Sequence, residues 1–291
     1  MMIAFVILQY NVYESTFKSV ASIMANTKVD YQIIVVDNCS ENDSFEQIKS
    51  RFTGDNRIHC IQTTKNLGFA NGNNFGIEYA TKNFNFEWIC VMNNDVYLTS
   101  MLTEPLLETL NNDEVDVLGP NIISLHTSEH QNPLPAISYS KFYIYKMIWI
   151  YRIYLILNYL HLDYYLHQLA IKILTSLNKT QANRQGLQHE SEAFVKKIHG
   201  SVLMFHKKFI SKFPKPFHPD TFMYLEEDFL ALRCERSGSS IYYLPSLTFE
   251  HDHSQTVNKL TKNSHEKSKY IFKHNIASYQ AFLNYYKSQD L

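Results

Sequence analysis

Cysteine is scarce in this chain, and what there is stands apart. Cys39, Cys60, Cys90 and Cys234 are the only four in 291 residues, with no Cys-x-x-Cys among them. That is neither a zinc ligand pattern nor a disulfide framework, and it fits a reducing cytosol. An excess of one charge is missing too: 27 Lys and Arg face 28 Asp and Glu, for a formal charge of -1. A dedicated nucleic-acid binder would carry a basic excess, so nucleic acid is not an expected partner. A small anionic ligand needs only a local field and stays open. The two common glycine-rich phosphate loops are absent, since no Gly-x-Gly-x-x-Gly and no Gly-Lys-Ser/Thr occurs. The apolar start, Met1 to Leu8, has no basic leader and no small-residue cleavage site. It reads as a first strand rather than a signal peptide.

What the chain does have is aromatic side chains, 20 Tyr and 19 Phe, unevenly spread. Its length suits one large or two small domains with a sizeable core. Residues 1–124 alternate between strand-like and helix-like stretches. Apolar runs at 3–10, 32–36, 58–62 and 88–92 predict strands. Helical spacing predicts helices around Phe17–Met24, Phe45–Phe52, 73–81 and 102–110. Such alternation implies right-handed crossovers and a mostly parallel sheet flanked by helices. Residues 125–194 break the rhythm, with a long aromatic stretch over 142–160 that is helix-compatible and long enough to span a bilayer. Lys146 and Arg152 would lie within that span, at about 2.5–3.5 kcal/mol each. Two readings stay open: a helix lying in the membrane surface, or a helical pair packed on the body of the protein. From 195 to 291 a compact α+β pattern returns. It has a strand at 198–205 turning at Gly200, a helix over 227–236, short strands at 241–243 and 247–249, and a terminal helix over 264–286.

Several polar clusters sit where strands end, which is where open α/β sheets bind ligands. Asp37 follows Ile33–Val36 directly. Its carboxylate can accept from a nucleobase N–H or a ribose hydroxyl, or serve as a turn residue in Asp37-Asn38-Cys39-Ser40. The stretch 66–74, with Asn66, Gly68, Asn71, Gly72, Asn73 and Asn74, reads as a polar loop whose glycines admit close backbone approach and whose amides add uncharged donors. The helix after it would present its N-terminus to a diphosphate. Asn93-Asn94-Asp95 ends the fourth strand. Asp95 suits a hard divalent cation that shares its shell with phosphate oxygens, and Asn94 could assist or contact ribose; a plain turn is the alternative. Glu226, Glu227 and Asp228 open a helix. The dipole favours acids there, but three exceed what capping needs, and crowding raises at least one pKa toward a useful base. His251-Asp252-His253 cannot place both histidines on one side of a strand. His251 is a third metal ligand, a phosphate contact or a surface histidine.

These stretches, in this order, resemble the inverting family 2 glycosyltransferases, in particular the rhamnosyltransferase-like branch. The resemblance covers about 1–124 and 195–255. It rests on Tyr10-Asn11, on Val36-Asp37-Asn38-Cys39-Ser40, and on Asn66, Gly68, Phe69, Ala70, Gly72, Asn73 and Asn74. It rests further on Asn93-Asn94-Asp95, on Gly200-Ser201, and on Leu225-Glu226-Glu227-Asp228, a looser form of the family's Leu-Glu-Asp. It implies a GT-A α/β fold, with a Rossmann-like nucleotide half (1–124) fused to an acceptor half (195–291) and an aromatic helical insertion between them (125–194). It implies a hexosyltransferase that moves sugar from a nucleotide-diphosphate sugar to a glycan or lipid-linked acceptor, with inversion, in bacterial cell-surface polysaccharide synthesis. Mg²⁺ or Mn²⁺ would be held by Asp95 and His251. Tyr10, Asn11, Asp37, Asn66, Gly68, Asn71, Asn74 and Asn94 would face the donor. Glu227 takes the position of the base, with Asp228 as its rival and Glu226 beside them. The expected location is cytoplasmic, at the inner face of the cell membrane. The Leu-Glu-Glu-Asp departure keeps a second reading open, an inactive sugar-nucleotide or glycan binder. A sugar-1-phosphate nucleotidyltransferase would need a Gly-rich, Arg/Lys-bearing loop after the first strand, which Tyr10 to Glu14 lacks.

Overall fold

A computed structural model of the chain describes residues 1–108, 114–162, 189–252 and 264–288. The first elements alternate: β1 (Met2–Gln9), α1 (Tyr13–Asn26), β2 (Asp30–Asp37), α2 (Ser44–Phe52), β3 (Ile58–Gln62), α3 (Gly68–Asn83) and β4 (Trp88–Asn93). Then come β5 (Val96–Leu98), α4 (Glu104–Glu108), β6 (Val117–Ser124) and α5 (Lys141–Tyr159). The remainder supplies β7 (Ala193–Phe194), β8 (Val202–His206), α6 (Lys207–Lys212), α7 (Glu226–Ser237), β9 (Ile241–His251) and α8 (Ser264–Lys287).

Among the described residues one sheet holds all the strands, in the order β3-β2-β1-β4-β8-β6-β9-β5, with β7 beside β9. The four strands β3, β2, β1 and β4 run parallel, each returned by a helix. β8 enters antiparallel between β4 and β6, and β9 runs parallel to β6. The architecture is thus α/β with a mixed, mostly parallel sheet, to which residues 1–124 and 195–291 both contribute. Continuous apolar runs such as Ile3–Ile7 follow from burial on both faces. Phe5, Ile33, Trp88 and Phe249 pack on one side and Val6, Ile34, Phe205 and Phe209 on the other. A third apolar cluster lies away from the sheet, where Ile144 and Ile148 of α5 meet Phe229 of α7 and Phe282 of α8.

Four expectations are revised. α3 starts at Gly68, five residues before the expected 73, so most of the supposed 66–74 loop is the first two turns of a helix. The short strands at 241–243 and 247–249 are one strand, β9, which absorbs Pro245 because its register against β6 shifts at Pro120/Asn121. The expected strand over 198–205 begins only at Val202. β6 was not anticipated, because Gly119-Pro120 at its centre reads as a breaker. Residues 109–110 of the expected helix over 102–110, residues 163–188 of the aromatic segment, and His253 lie outside the described residues.

The seat of α3 on the sheet depends on Gly76. A Cβ there would come within 2.5 Å of Val6 Cγ1 and 2.7 Å of Val36 Cγ2, both rigid and fully buried. Gly76→Ala is therefore expected to lower stability by about 1–3 kcal/mol through overpacking. That outweighs the gain of about 1 kcal/mol in helix propensity. Urea unfolding followed by circular dichroism would read the difference, and a more stable variant would contradict the close packing.

Candidate functional site

At the carboxyl ends of β1, β2 and β3, Asp37 gathers the strands together. Its Oδ1 accepts from Ser40 N at 2.9 Å and Gln62 Nε2 at 3.0 Å. Its Oδ2 accepts from Ser40 Oγ at 2.6 Å and from Gln9 Nε2. A carboxylate has about four lone-pair sites, and all four are in use. A nucleobase bonded here would have to replace Gln9 or Gln62, neither of which the motif pattern singled out. Asn11, at φ +60°, donates its N–H to Ser40 Oγ and accepts from Glu41 N, each at 2.9 Å. Tyr10 donates to Glu41 Oε1 at 3.1 Å.

Asn66 Oδ1 accepts from Asn38 Nδ2 at 3.0 Å and from Gly68 N at 2.9 Å. Gly68 holds φ +76°, with the Phe222 backbone against the position a Cβ would take. Two asparagines expected to face the donor are engaged elsewhere. Asn71 Nδ2 donates to Pro219 O at 2.8 Å. Asn74 is buried, donates to Phe217 O at 2.8 Å and accepts from Phe217 N at 3.2 Å. They fasten α3 to the 217–222 segment of the other half. Asn94 is also diverted: buried, it donates to Val12 O at 2.9 Å and Thr16 Oγ1 at 3.2 Å at the start of α1.

Asp95 and His251 meet at one corner of the sheet because β5 and β9 pair there. Asp95 Oδ1 is buried without a hydrogen-bond partner, although His251 Nε2 lies 3.4 Å away. The contact is within ion-pair range but outside hydrogen-bond geometry. His251 Nδ1 is 2.9 Å from Gln131 Oε1. An amide oxygen can only accept, so Nδ1 is the donor in that bond. A carboxylate oxygen without a hydrogen-bond partner, beside an imidazole held from behind, is a ligand set that fits a divalent cation. Among the described residues no group of three such ligands occurs, so further ligands would come from phosphate or water.

The carboxylates open α7, and the chain enters them through Tyr224 at φ +72° and Leu225 at φ +68°. Two successive left-handed residues other than glycine cost about 1–2 kcal/mol each. Leu225 O, accepting from Asp228 N and Phe229 N at 2.9 Å, and Met223 O, accepting from Ser278 Oγ at 2.7 Å, hold the turn. The three acids then diverge. Asp228 is buried and bonded through Oδ1 to Lys197 Nζ at 2.6 Å and to the Tyr139 hydroxyl. Glu226 is buried, its Oε1 has no partner, and burial with the neighbouring Glu227 charge pushes it up to about 8. Glu227 is half-buried; burial and then Asp228 raise its pKa, while Lys197 pulls it down. A Cβ on Gly200 would lie 3.5 Å from Glu227 Oε2. Ser201 O accepts from Asn93 N at 3.0 Å, and the His199 ring stands 5.9 Å from that of His251. A chain of contacts therefore links Glu227 to Asp95 through Gly200, His199 and His251. Lys197 and Tyr139 were missed by motif reasoning. The only signal was a lysine pair, Lys196-Lys197, running into an apolar strand.

With that geometry in view, comparison with known proteins defines the class. The Glycosyl transferase family 2 profile matches residues 4–168, more than half of the chain, and the chain belongs to that family. No curated protein matches it. Among solved structures, residues 1–349 of S. aureus TarS align at 12% identity and TM-score 0.52, covering 87% of this chain and 60% of that one. GalNAc-T7, solved with UDP, GalNAc and Mn²⁺, aligns at 11% identity and TM-score 0.59, covering 88% of this chain and 44% of that one. A second TarS structure gives 11% identity and TM-score 0.54, covering 87% and 37%. Likeness at such identity shows the GT-A-like fold alone. The chain spans 60% or less of the length of these neighbours.

Two outcomes follow from the carboxylate turn. Lys197→Met leaves Asp228 buried and unpaired, and should cost about 3–5 kcal/mol, read by urea unfolding. A loss below about 1 kcal/mol would mean the pair is not buried. Glu226 holds its proton more tightly folded than unfolded. Its contribution is complete below pH 4.5 and declines as pH rises toward about 8. In Glu226→Gln that decline in melting temperature should flatten, leaving the variant more stable than the parent at pH 8.

Proposed function

We propose that the chain moves a sugar from a nucleotide-diphosphate sugar to a hydroxyl of a glycan or lipid-linked oligosaccharide, with inversion at the anomeric carbon. The observation that carries the reading is the placement of Glu227. It is the one acid of the α7 cluster that is neither ion-paired nor fully buried, and Gly200, His199 and His251 link it by contact to Asp95, whose Oδ1 has no hydrogen-bond partner. Asp228 is neutralised by Lys197. Glu226, at about 8, is protonated near neutrality. We assign Glu227 as the base. It takes the acceptor hydroxyl proton as that oxygen bonds to the anomeric carbon, while the bond from that carbon to the diphosphate oxygen breaks. One in-line displacement needs one base.

Asp95 and His251 would hold the divalent cation, and a bound cation supplies charge stabilisation to the departing diphosphate. A carboxylate paired with an imidazole suits Mn²⁺ better than the harder Mg²⁺, which prefers oxygen ligands. Tyr10, Asn11 and the Asp37 cluster form the floor for the nucleoside. Tyr270 of α8 comes near Tyr10; burial, and then Tyr10, hold its hydroxyl above its ordinary pKa. The rhamnosyltransferase-like motifs support a place in bacterial cell-surface polysaccharide synthesis. The scattered free thiols support the cytoplasm, and a lipid-linked acceptor supports its membrane face.

The Leu225-Glu226-Glu227-Asp228 departure favours a second reading, a binder without turnover. A thermal-shift panel of UDP-, dTDP- and GDP-sugars with Mn²⁺ tests the donor; ligand at a hundred times Kd adds about 2.7 kcal/mol. Donor turnover with acceptor should fall by about a hundredfold or more in Glu227→Gln, with Mn²⁺-dependent donor binding retained. Asp95→Asn should lose the Mn²⁺-dependent part of that binding. Full donor binding with no turnover in the parent protein would favour the binder.

A further inference from the structure

Along α5, Phe142, Tyr145, Trp149, Ile153, Ile156 and Leu160 recur at spacings of three and four and lie exposed. Phe142 is 79% exposed, Trp149 and Leu160 60%, and Ile156 58%. The opposite stripe, Ile144 and Ile148, is buried against α7 and α8. The helix thus has two apolar faces, and only one is used by the core. Around the other face the charge is one-sided. Residues 141–162 contain Lys141, Lys146 and Arg152 and no Asp or Glu. Arg152 stacks on Trp149 at 5.8 Å. The neighbouring α8 adds Lys269, whose Nζ lies 4.3 Å over the Tyr159 ring, and Lys287, which donates to Tyr145 Oη at 3.0 Å. Glu266 is the only acid of α8, against four lysines.

Aromatic side chains with polar tips, on a helix rimmed by cations, suit the headgroup zone of an anionic bilayer. No described helix is long and apolar enough to cross a membrane, so the face would lie on the surface. We propose that this face of α5, with the lysine rim of α8, docks on an anionic lipid bilayer. It deepens the membrane placement given above and rests on no step of sugar transfer. Tyr139, just ahead of α5, bonds Asp228, and Phe229 of α7 packs in the α5–α8 cluster. Docking would therefore fix the height and tilt of the helix that carries Glu227 relative to an acceptor presented from the membrane.

The chain has two tryptophans, and Trp88 is fully buried, so a change in emission on adding vesicles reports Trp149. With phosphatidylcholine–phosphatidylglycerol vesicles in low salt, a blue shift and co-sedimentation are expected. Vesicles of phosphatidylcholine alone should bind much more weakly, and added salt should weaken the anionic binding. Ile153→Ser with Ile156→Ser removes exposed apolar area and should weaken binding by about tenfold or more, with the melting temperature kept. Lys146→Glu with Arg152→Glu should do the same. The proposal is overturned if the parent protein shows no shift on anionic vesicles, or if both variants bind as it does. It is equally overturned if the shift follows protein concentration without vesicles, which would assign the face to a second copy of the chain. Each readout is independent of sugar turnover, so loss of the transfer reading and loss of the docking are told apart.

Discussion

Three adjacent carboxylates at the start of α7 must be kept together against mutual repulsion, and one buried lysine makes that possible. Lys197 and Asp228 are both nearly inaccessible and 2.6 Å apart. A lone buried charge is expelled or neutralised, whereas a hydrogen-bonded pair is tolerated. With Asp228 held by Lys197 and Tyr139, burial and the Glu227 charge favour the protonated form of Glu226, and Glu227 is the one acid of the three left half-exposed. The same turn is backbone-strained at Tyr224 and Leu225. Strain of this kind persists only where the surroundings over-determine it, and here Ser278 of α8 and the first turn of α7 do so.

The strand ends show the complementary solution, in which burial is met by amides rather than by charge. Asp37 is closed off by two glutamines and a serine. Asn38, Asn66, Asn71 and Asn74 carry hydrogen bonds outward from β2 through α3 to the backbone at 217–219. Polar side chains taken from water need partners, and these asparagines find theirs by fastening α3 to the 217–222 segment.

Much of this was legible in the residues themselves. The strands β1 to β4 and the helices α5, α7 and α8 follow from local periodicity, and their bounds differ from expectation by one or two residues. The carboxylate cluster, Asp95 and His251 were also visible, because acids and histidines after apolar runs are rare enough to stand out. Less legible were β6, hidden by Gly119-Pro120, and the start of α3, where glycine and asparagine look like loop although Phe222 and Phe217 hold them in a helix. Lys197 carried little signal beyond its place in a lysine pair, and Tyr139 none, since each matters only through Asp228.

The sequence by itself determined the alternation of elements, the apolar faces and the supply of chemically able side chains, because hydrophobic period and turn chemistry act over a few residues. Tertiary structure decided which asparagines are fasteners, which acid stays available, and that the corner between β5 and β9 brings Asp95 against His251. Those outcomes depend on partners far apart in the chain, as with Asn71 and Pro219, 148 residues away. Burial and charge at a given atom are set by neighbours that local pattern does not specify.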